Sequence, residues 1–484
     1  MKTKKTVLIL LLVAFPLFTT IQMFAQQKKQ QRFTVMGLGD SITEGGDSFT
    51  CYIYPLWEKL MAAGYDFDFI GPRESKCRIG TLNCCGFGGR NVEFLDSKID
   101  SLYRLYPADI VLLHAGHNHF IEENPVPGMI KAYKSIISKT QAINPNVYIL
   151  VAQVIHSGKL PKYSYIPDLN RQIATMVKAY HSDHIILVNQ AKGFDWKQMT
   201  IADKVHPNKL GGEQMASVWF KALKKVLAPA PYSFKPEIVP YKTLADGQKL
   251  TLHIFKPTTK SKSRHAAIVY FFGGSWQIGT PLQFYRECSY YASKGMVAIS
   301  ADYRIAYLHH STVFESFEDA KDAMRWIRTN ADKYGIDTAR IAAAGASAGG
   351  HLAAALGTIA ENNEEGVSYK PNLIILNYAV IDNGANGFGS REMKARFREI
   401  SPIHNISKLT PPTLFLLGTK DVLIPITTGK AFQEKMTAAG IYCELHLFEG
   451  VGHPIFYYRK PLTKEFYKVR QLTDDFLFKY GYLK

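Results

Sequence analysis

Cysteine is scarce in this 484-residue chain. There are six, Cys51, Cys77, Cys84, Cys85, Cys288 and Cys443, and their spacing does not match the paired CxxC pattern of a structural zinc site. Low-complexity tracts and short-period repeats are absent, which excludes a solenoid and a disordered linker protein. Past the first 25 residues no apolar run is long enough to cross a bilayer. Nucleic-acid signatures are missing too. The formal charge is +17, but Lys and Arg are dispersed instead of gathered on a recognition motif, so no nucleic-acid partner is expected. A positive balance of this size fits an acidic polymer or solubility alone.

What is present is a globular composition, 46% hydrophobic and 20% charged. The length exceeds what one core organises, so two domains are expected. Residues 1–25 read as a signal peptide: basic "MKTKK", apolar "TVLILLLVAFPLFTT", then small Ala25 before polar "QQKKQQ". The alternative is an uncleaved anchor. Pro16 and the polar Thr19, Thr20 and Gln22 argue against a spanning helix, while Met23 is a poor residue at the −3 position of a cleavage after Ala25. The expected location is the periplasm or the cell exterior, with membrane contact only through an uncleaved signal segment. Export permits disulfides, and the first four cysteines cluster, so one bridge is expected there. Adjacent Cys84 and Cys85 are not expected to bond each other.

From Arg32 to about Leu227 short apolar runs alternate with amphipathic stretches. "FTVMGLGD", "FDFIG", "ADIVLLHAG", "VYILVAQ" and "IILVN" read as strands. "YPLWEKLMAAG", "PGMIKAYKSIISKTQAIN" and "IPDLNRQIATMVKAYH" read as helices. This alternation implies a parallel sheet covered by helices. The proline-rich "APAPYSFKPEIVP" marks a linker, placed at residues 229–236. Alternation then restarts with "KLTLHIFKP", read as an exposed antiparallel strand, followed by "HAAIVYFFGG", "GMVAISADYR", a long helix over "ESFEDAKDAMRWIRTNADKYG", and later strands. The expectation is two tandem α/β units, 32–228 and 237–484.

In the second unit "GASAGG", residues 345–350, fits G-x-S-x-G with Ser347 central. It follows the strand "RIAAA" and opens the helix "GHLAAAL", the context a strained nucleophile turn requires. A serine hydroxyl needs a base, and the base needs an orienting group. Asp421 follows the strand in "LFLLGTKDVLIP", and His453 sits in the loop of "FEGVGHPIF". The chain order Ser, Asp, His is the order expected of such a turn. An oxyanion hole needs backbone N–H groups. Ala348 supplies one, and the glycine loop "FFGGSW" supplies another from Gly274 or its neighbours Gly273 and Ser275. "FFGGSW", "SADYR", "GASAGGHLA", "GTKDVLIP" and "GVGH" resemble the α/β-hydrolase esterases, most closely the bifunctional acetyl and feruloyl esterases acting on xylan. The resemblance covers roughly residues 237–484. It departs at Phe272, where that family usually carries His, which puts the anchoring of the glycine loop in question.

In the first unit "GLGDSITEGG" ends a strand on Ser41, and "ADKVHPNKLGG" spaces Asp203 and His206 as D-x-x-H. One short loop can then present a carboxylate to one ring nitrogen and turn the other nitrogen towards a serine. "GDSITEGG", "NCCGFGGRNV", "ADIVLLHAGHNHF" and "DKVHP" resemble, in order, four blocks of the SGNH or GDSL hydrolase superfamily, closest to its carbohydrate esterases. The resemblance implies Ser41 as nucleophile, Gly89 as an oxyanion N–H donor, Asn118 as an oxyanion amide, and Asp203 with His206 completing the triad. It implies a flavodoxin-like three-layer α/β/α domain, followed here by the α/β-hydrolase domain. His119 stands where that superfamily often has Asp, so His117 and His119 are expected to alter the pocket wall beside the substrate. A metal site at "HAGHNHF" is not expected. His114 falls on the strand and the other two in the loop after it, so the side chains do not converge.

The two resemblances together imply an exported enzyme with two serine esterase sites. It would remove acetyl, feruloyl or other acyl esters from a polysaccharide such as xylan or pectin, without a cofactor. The alternatives are a lipase or small-ester acetylhydrolase, although no large apolar lid is evident; a chain in which one domain serves as a carbohydrate-binding module; and an α/β-hydrolase peptidase.

Overall fold

The computed structural model describes residues 33–46, 49, 51–65, 67–77, 80–227, 235–257, 263–361, 366–453, 455 and 464–484. The expected signal segment, and residues 229–234 of the expected linker, lie outside the described residues.

Seven strands form the first sheet: β1 (Phe33–Gly39), β2 (Phe67–Phe69), β3 (Arg73–Cys77), β4 (Gly80–Gly86), β5 (Ile110–His114), β6 (Tyr148–Gln153) and β7 (Ile185–Asn189). Their order is β3-β4-β1-β5-β6-β7, with β2 also pairing β1. All pairings are parallel except the β3–β4 hairpin. The central strands read as continuous apolar runs because both faces are covered. Val35, Ile110, Leu112, Leu150 and Ala152 belong to one core cluster with the helices Ile53–Ala62 and Lys209–Leu223. Met36, Leu38, Val111, Leu113, Ile149 and Val151 belong to the other, with Val92–Leu105, Val126–Ile143 and Ile166–Ala179. Strand side chains alternate between faces, so neighbouring residues go to opposite layers. The result is the three-layer α/β/α arrangement.

Eight strands form the second sheet: β8 (Glu237–Thr243), β9 (Lys249–Phe255), β10 (His265–Phe271), β11 (Val297–Ala301), β12 (Ile336–Ala346), β13 (Leu373–Asn377), β14 (Thr413–Gly418) and β15 (Cys443–Phe448). Their order is β15-β14-β13-β12-β10-β11-β9-β8. β9 pairs antiparallel with both β8 and β11, and the remaining pairs are parallel. Proline cannot donate to a ladder. Pro240 is tolerated because β8 is an edge strand whose register shifts between Pro240 and Lys242. The helix Val313–Thr329 starts at a capping box made by Thr312 and Glu315. The helix Ala348–Thr358 is buried along its whole length. Its small residues follow from that position: a Cβ on Gly349 would lie 2.1 Å from the carbonyl oxygen of Phe271.

The two halves share apolar surface. The helix Ile53–Ala62 lies against the turn Pro281–Phe284, and the core cluster containing Leu56 and Trp57 continues into the second sheet. All six cysteines are free thiols, so the bridge expected among the first four is not formed. Among the described residues no helix is long and apolar enough to cross a membrane.

Candidate active sites

In the first domain Asp40 ends the run from β1 and caps the short helix Ser41–Glu44, its Oδ1 accepting the Ile42 N–H at 3.0 Å. That turn sets Ser41 at the carboxyl end of a central strand, where ligand sites gather in open α/β sheets. Ser41 Oγ lies 2.8 Å from His206 Nε2. His206 Nδ1 lies 2.5 Å from Asp203 Oδ2. Asp203 is itself steadied: its Oδ1 accepts the N–H groups of Val205 at 2.9 Å and of His206 at 3.0 Å. Burial pushes the Asp203 carboxyl up, but these bonds outweigh it and hold the group below the usual carboxylate value. The Phe49 ring stacks on the His206 imidazole at 4.2 Å.

The loop after β4 closes on this line. A Cβ on Gly88 would lie 3.8 Å from the Ser41 Cβ, and the Gly88 N–H donates to Glu44 Oε2 at 2.6 Å. Gly89 has φ +70, with no atom within 4 Å of where its Cβ would stand. Its N–H has no hydrogen-bond partner among the described residues. Asn118, at φ 72, donates its amide to the Arg90 carbonyl at 3.0 Å, which ties the loop after β5 to the loop of Gly89. Ser41, Gly89, Asn118, Asp203 and His206 are thus brought to one end of the first sheet.

The three histidines of "HAGHNHF" do three separate things. His114 is buried, and its Nε2 accepts the Ile155 N–H at 3.3 Å; burial pushes its pKa down to about 4. His117 is buried, with Nδ1 3.8 Å from Asp40 Oδ2, too long for a hydrogen bond. Burial holds His117 well below the ordinary imidazole value and pushes Asp40 up to about 6. His119 is buried between Glu93 Oε2 at 2.8 Å and Glu123 Oε2 at 2.5 Å. The expectation that His117 and His119 line the substrate wall is therefore corrected: both rings are turned into the protein. Among the described residues no group of three or more side chains is placed to hold a metal ion.

In the second domain Ser347 sits between β12 and the buried helix at φ 52, ψ −119. This conformation is strained for a residue with a side chain, and it thrusts the hydroxyl out of the turn. Its neighbours must be small: a Cβ on Gly345 would come 2.3 Å from the Gly349 carbonyl oxygen. Ser347 Oγ lies 2.9 Å from His453 Nε2, and His453 Nδ1 lies 2.8 Å from Asp421 Oδ2. Asp421 Oδ1 accepts from Leu423 N–H at 2.9 Å and Ile424 N–H at 2.8 Å. Tyr378 presents its ring edge-on to His453 at 5.0 Å.

The glycine loop lies over Ser347: a Cβ on Gly273 would be 3.5 Å from the Ser347 Cβ. The expectation of Gly273 as an oxyanion donor is corrected, because its N–H is occupied by Gln283 Oε1 at 3.0 Å. Gln283 Nε2 in turn donates to the Gly273 carbonyl at 3.0 Å. The N–H groups of Gly274 and Ala348 carry no partner among the described residues. Gly274 has φ +135, and a Cβ there would lie 2.1 Å from the Ile278 carbonyl oxygen, so the position admits only glycine. Phe272 does not leave the loop loose. Its ring stacks on Tyr303 at 4.1 Å, and the Tyr303 hydroxyl donates to its carbonyl at 2.6 Å.

Sequence reasoning missed Gln283, Phe49, Tyr378 and the two glutamates around His119. A lone glutamine in "TPLQFY" carries no sign of its partner, and the glutamates reach His119 from other elements.

Comparison with known proteins gives a family match in each domain. Residues 38–213 match the GDSL-like Lipase/Acylhydrolase family, and residues 252–384 match the BD-FAE family. Esterase LipC of Mycobacterium tuberculosis is 32% identical over 209 residues, which cover 37% of this chain and 51% of that protein. The Acylamino-acid-releasing enzyme of Arabidopsis thaliana is 28% identical over 240 residues, covering 44% of this chain and 31% of that protein. The chain thus spans about half or less of the length of these curated relatives. Among solved structures, a thermophilic esterase from Thermogutta terrifontis, Est2, is 37% identical with a TM-score of 0.49, covering 51% of this chain and 94% of that one.

Proposed function

We propose that this chain is a serine carboxylic ester hydrolase with two sites, each removing acyl groups from a polysaccharide outside the cytoplasm. The observation that carries the reading is the repeated line of Ser, His and Asp, 2.8 and 2.5 Å in one domain and 2.9 and 2.8 Å in the other. In each, the histidine takes the serine proton as Oγ attacks the ester carbonyl. It then delivers that proton to the leaving sugar hydroxyl, while the aspartate holds the ring. Water admitted after the alcohol leaves hydrolyses the acyl-enzyme by the same route. The oxyanion is stabilised by the Gly89 N–H and Asn118 amide in the first site, and by the Gly274 and Ala348 N–H groups in the second.

The first site is read as an acetyl esterase. The second accepts acetyl or a bulkier aromatic acyl group. In support of an aromatic acyl group at the second site, Tyr378 stands edge-on to His453. Two sites on one chain suit a polymer carrying more than one ester, because binding at one raises the effective concentration at the other. Two family matches in tandem, one of them to GDSL-like Lipase/Acylhydrolase proteins, and the similarity to Esterase LipC support ester hydrolysis.

The test is acyl release from a panel of acetylated and feruloylated polysaccharides by Ser41→Ala, Ser347→Ala and the double variant. Each single variant is expected to lose a different set of esters and the double to lose all. If one single variant equals the double on every substrate, the other domain is not a catalyst. A double variant with full activity would sink the mechanism.

A further inference from the structure

His119 is held in an unusual way. Carboxylates only accept hydrogen bonds, and a neutral imidazole carries one N–H, so bonds to a carboxylate at both ring nitrogens require the imidazolium. His119 makes both, Nε2 to Glu93 at 2.8 Å and Nδ1 to Glu123 at 2.5 Å. The three residues come from three segments: Glu93 from the first turn of Val92–Leu105, Glu123 from the short turn Ile121–Glu123, and His119 from the loop after β5. The residue before His119 is Asn118, whose φ of 72 is uncommon for a residue with a side chain. Such a conformation persists only where its surroundings over-determine it. One restraint is the amide bond from Asn118 to the Arg90 carbonyl, and the other is the doubly bonded ring beside it.

We infer that His119 is a positioning residue: as an imidazolium clamped between Glu93 and Glu123 it fixes the loop that presents Asn118 to the oxyanion, so turnover at the first site falls as rising pH discharges it. The inference rests on the ester-hydrolysis reading of the Ser41 site. The bond to Glu93 is the largest influence raising the His119 pKa above its ordinary value, burial opposes it, and Glu123 adds to it. The same ring holds Glu123 below its usual value. The other groups facing the clamp do not change its sign. Glu122 adjoins it in sequence, Lys162 sits over the Phe120 ring at 4.0 Å, and Tyr165 donates to the Gly116 carbonyl at 3.1 Å. The helix Val126–Ile143 approaches Glu93 through Gly128, where a Cβ would lie 3.3 Å from Glu93 Oε1. Losing one proton leaves a ring nitrogen's lone pair against a carboxylate, which repels it and frees one end of the loop. Among the described residues the second site has no such doubly bonded histidine on its oxyanion donors, which are backbone N–H groups.

The test uses the full chain carrying Ser347→Ala, so that only the first site turns over. His119→Ala is expected to lower kcat about tenfold, a fraction of the effect of deleting an oxyanion donor outright. KM should stay unchanged, and the alkaline fall of the unaltered chain should vanish. His119→Arg, with a permanent charge and a fork of donors, is expected to restore kcat and carry activity to higher pH. An alkaline fall identical with and without His119, or a change confined to KM, overturns the inference. A second measurement does not depend on turnover. In the histidine-labelled full chain the His119 resonance, identified by its loss in the variant, is expected to titrate above the ordinary value of about 6.5. A ring already neutral near pH 7 overturns the clamp while Ser41→Ala remains inactive. A charged ring with Ser41→Ala fully active instead marks failure of the ester reading, and takes the link to turnover with it.

Discussion

The two triads have nearly the same hydrogen-bond lengths and are built in opposite ways. In the first domain the carboxylate and the imidazole are three residues apart on one short loop, and the Asp203 side chain is 35% exposed. In the second, Asp421 follows β14 and His453 follows β15, 32 residues later, and the Asp421 side chain is fully buried. A local loop makes the pair without help from the rest of the fold, but leaves it in contact with solvent. Two loops from adjacent strands need the whole sheet to meet, and in return exclude water from the carboxylate. An exposed charge is screened and a buried one is not. The same aspartate chemistry should therefore matter more in the second site.

That difference can be broken most directly at the aspartates. In a Ser41→Ala background, Asp421→Asn is expected to lower kcat about 10⁴-fold, the scale of losing the orienting carboxylate of a buried triad. In a Ser347→Ala background, Asp203→Asn is expected to cost roughly 10²-fold, at the low end of general-base effects. Equal losses, read from steady-state kinetics on the same acetyl ester, would remove the role of burial from the comparison. Gln283→Ala comes next. Freed from its paired bonds, Gly273 no longer fixes Gly274, and kcat at the second site should fall about tenfold with KM kept; a shift in KM alone would place Gln283 outside oxyanion positioning. The smallest effect is on stability. His119 has its pKa raised in the folded chain, so the stability of its clamp is complete below about 6.5, the unfolded value. It is lost as pH rises through the folded value. Calorimetry should show a small alkaline fall in melting temperature that His119→Ala abolishes. The fall should be small because Glu93 and Glu123 are 38% and 48% exposed and screened.

The apolar strands were legible because burial on both faces writes them as continuous runs. The β3–β4 hairpin was not, since "RESKC" and "GTLNCCG" mix charges and glycines at the edge of the first sheet. The last four residues of the linker stretch begin β8, which Pro240 disguises in sequence and edge position allows. Gly273 was mistaken for a free donor because its partner, Gln283, is ten residues away in a buried turn. The wall role expected of His117 and His119 failed for a related reason: Asp40 and Glu93, which lie beside them, come from distant parts of the chain, and only Glu123, four residues after His119, is local.

The sequence by itself determined the two-sheet plan, the strand-end positions of Ser41 and Ser347, and the D-x-x-H pair, because periodicity and short spacing are local properties of a chain. Tertiary structure alone decided which N–H groups remain free to meet an oxyanion, that Asp421 is buried while Asp203 is not, and that His119 lies between two glutamates. Each of these depends on which backbone or carboxylate groups the packing of separate elements brings together, down to the roughly 3 Å at which a hydrogen bond forms.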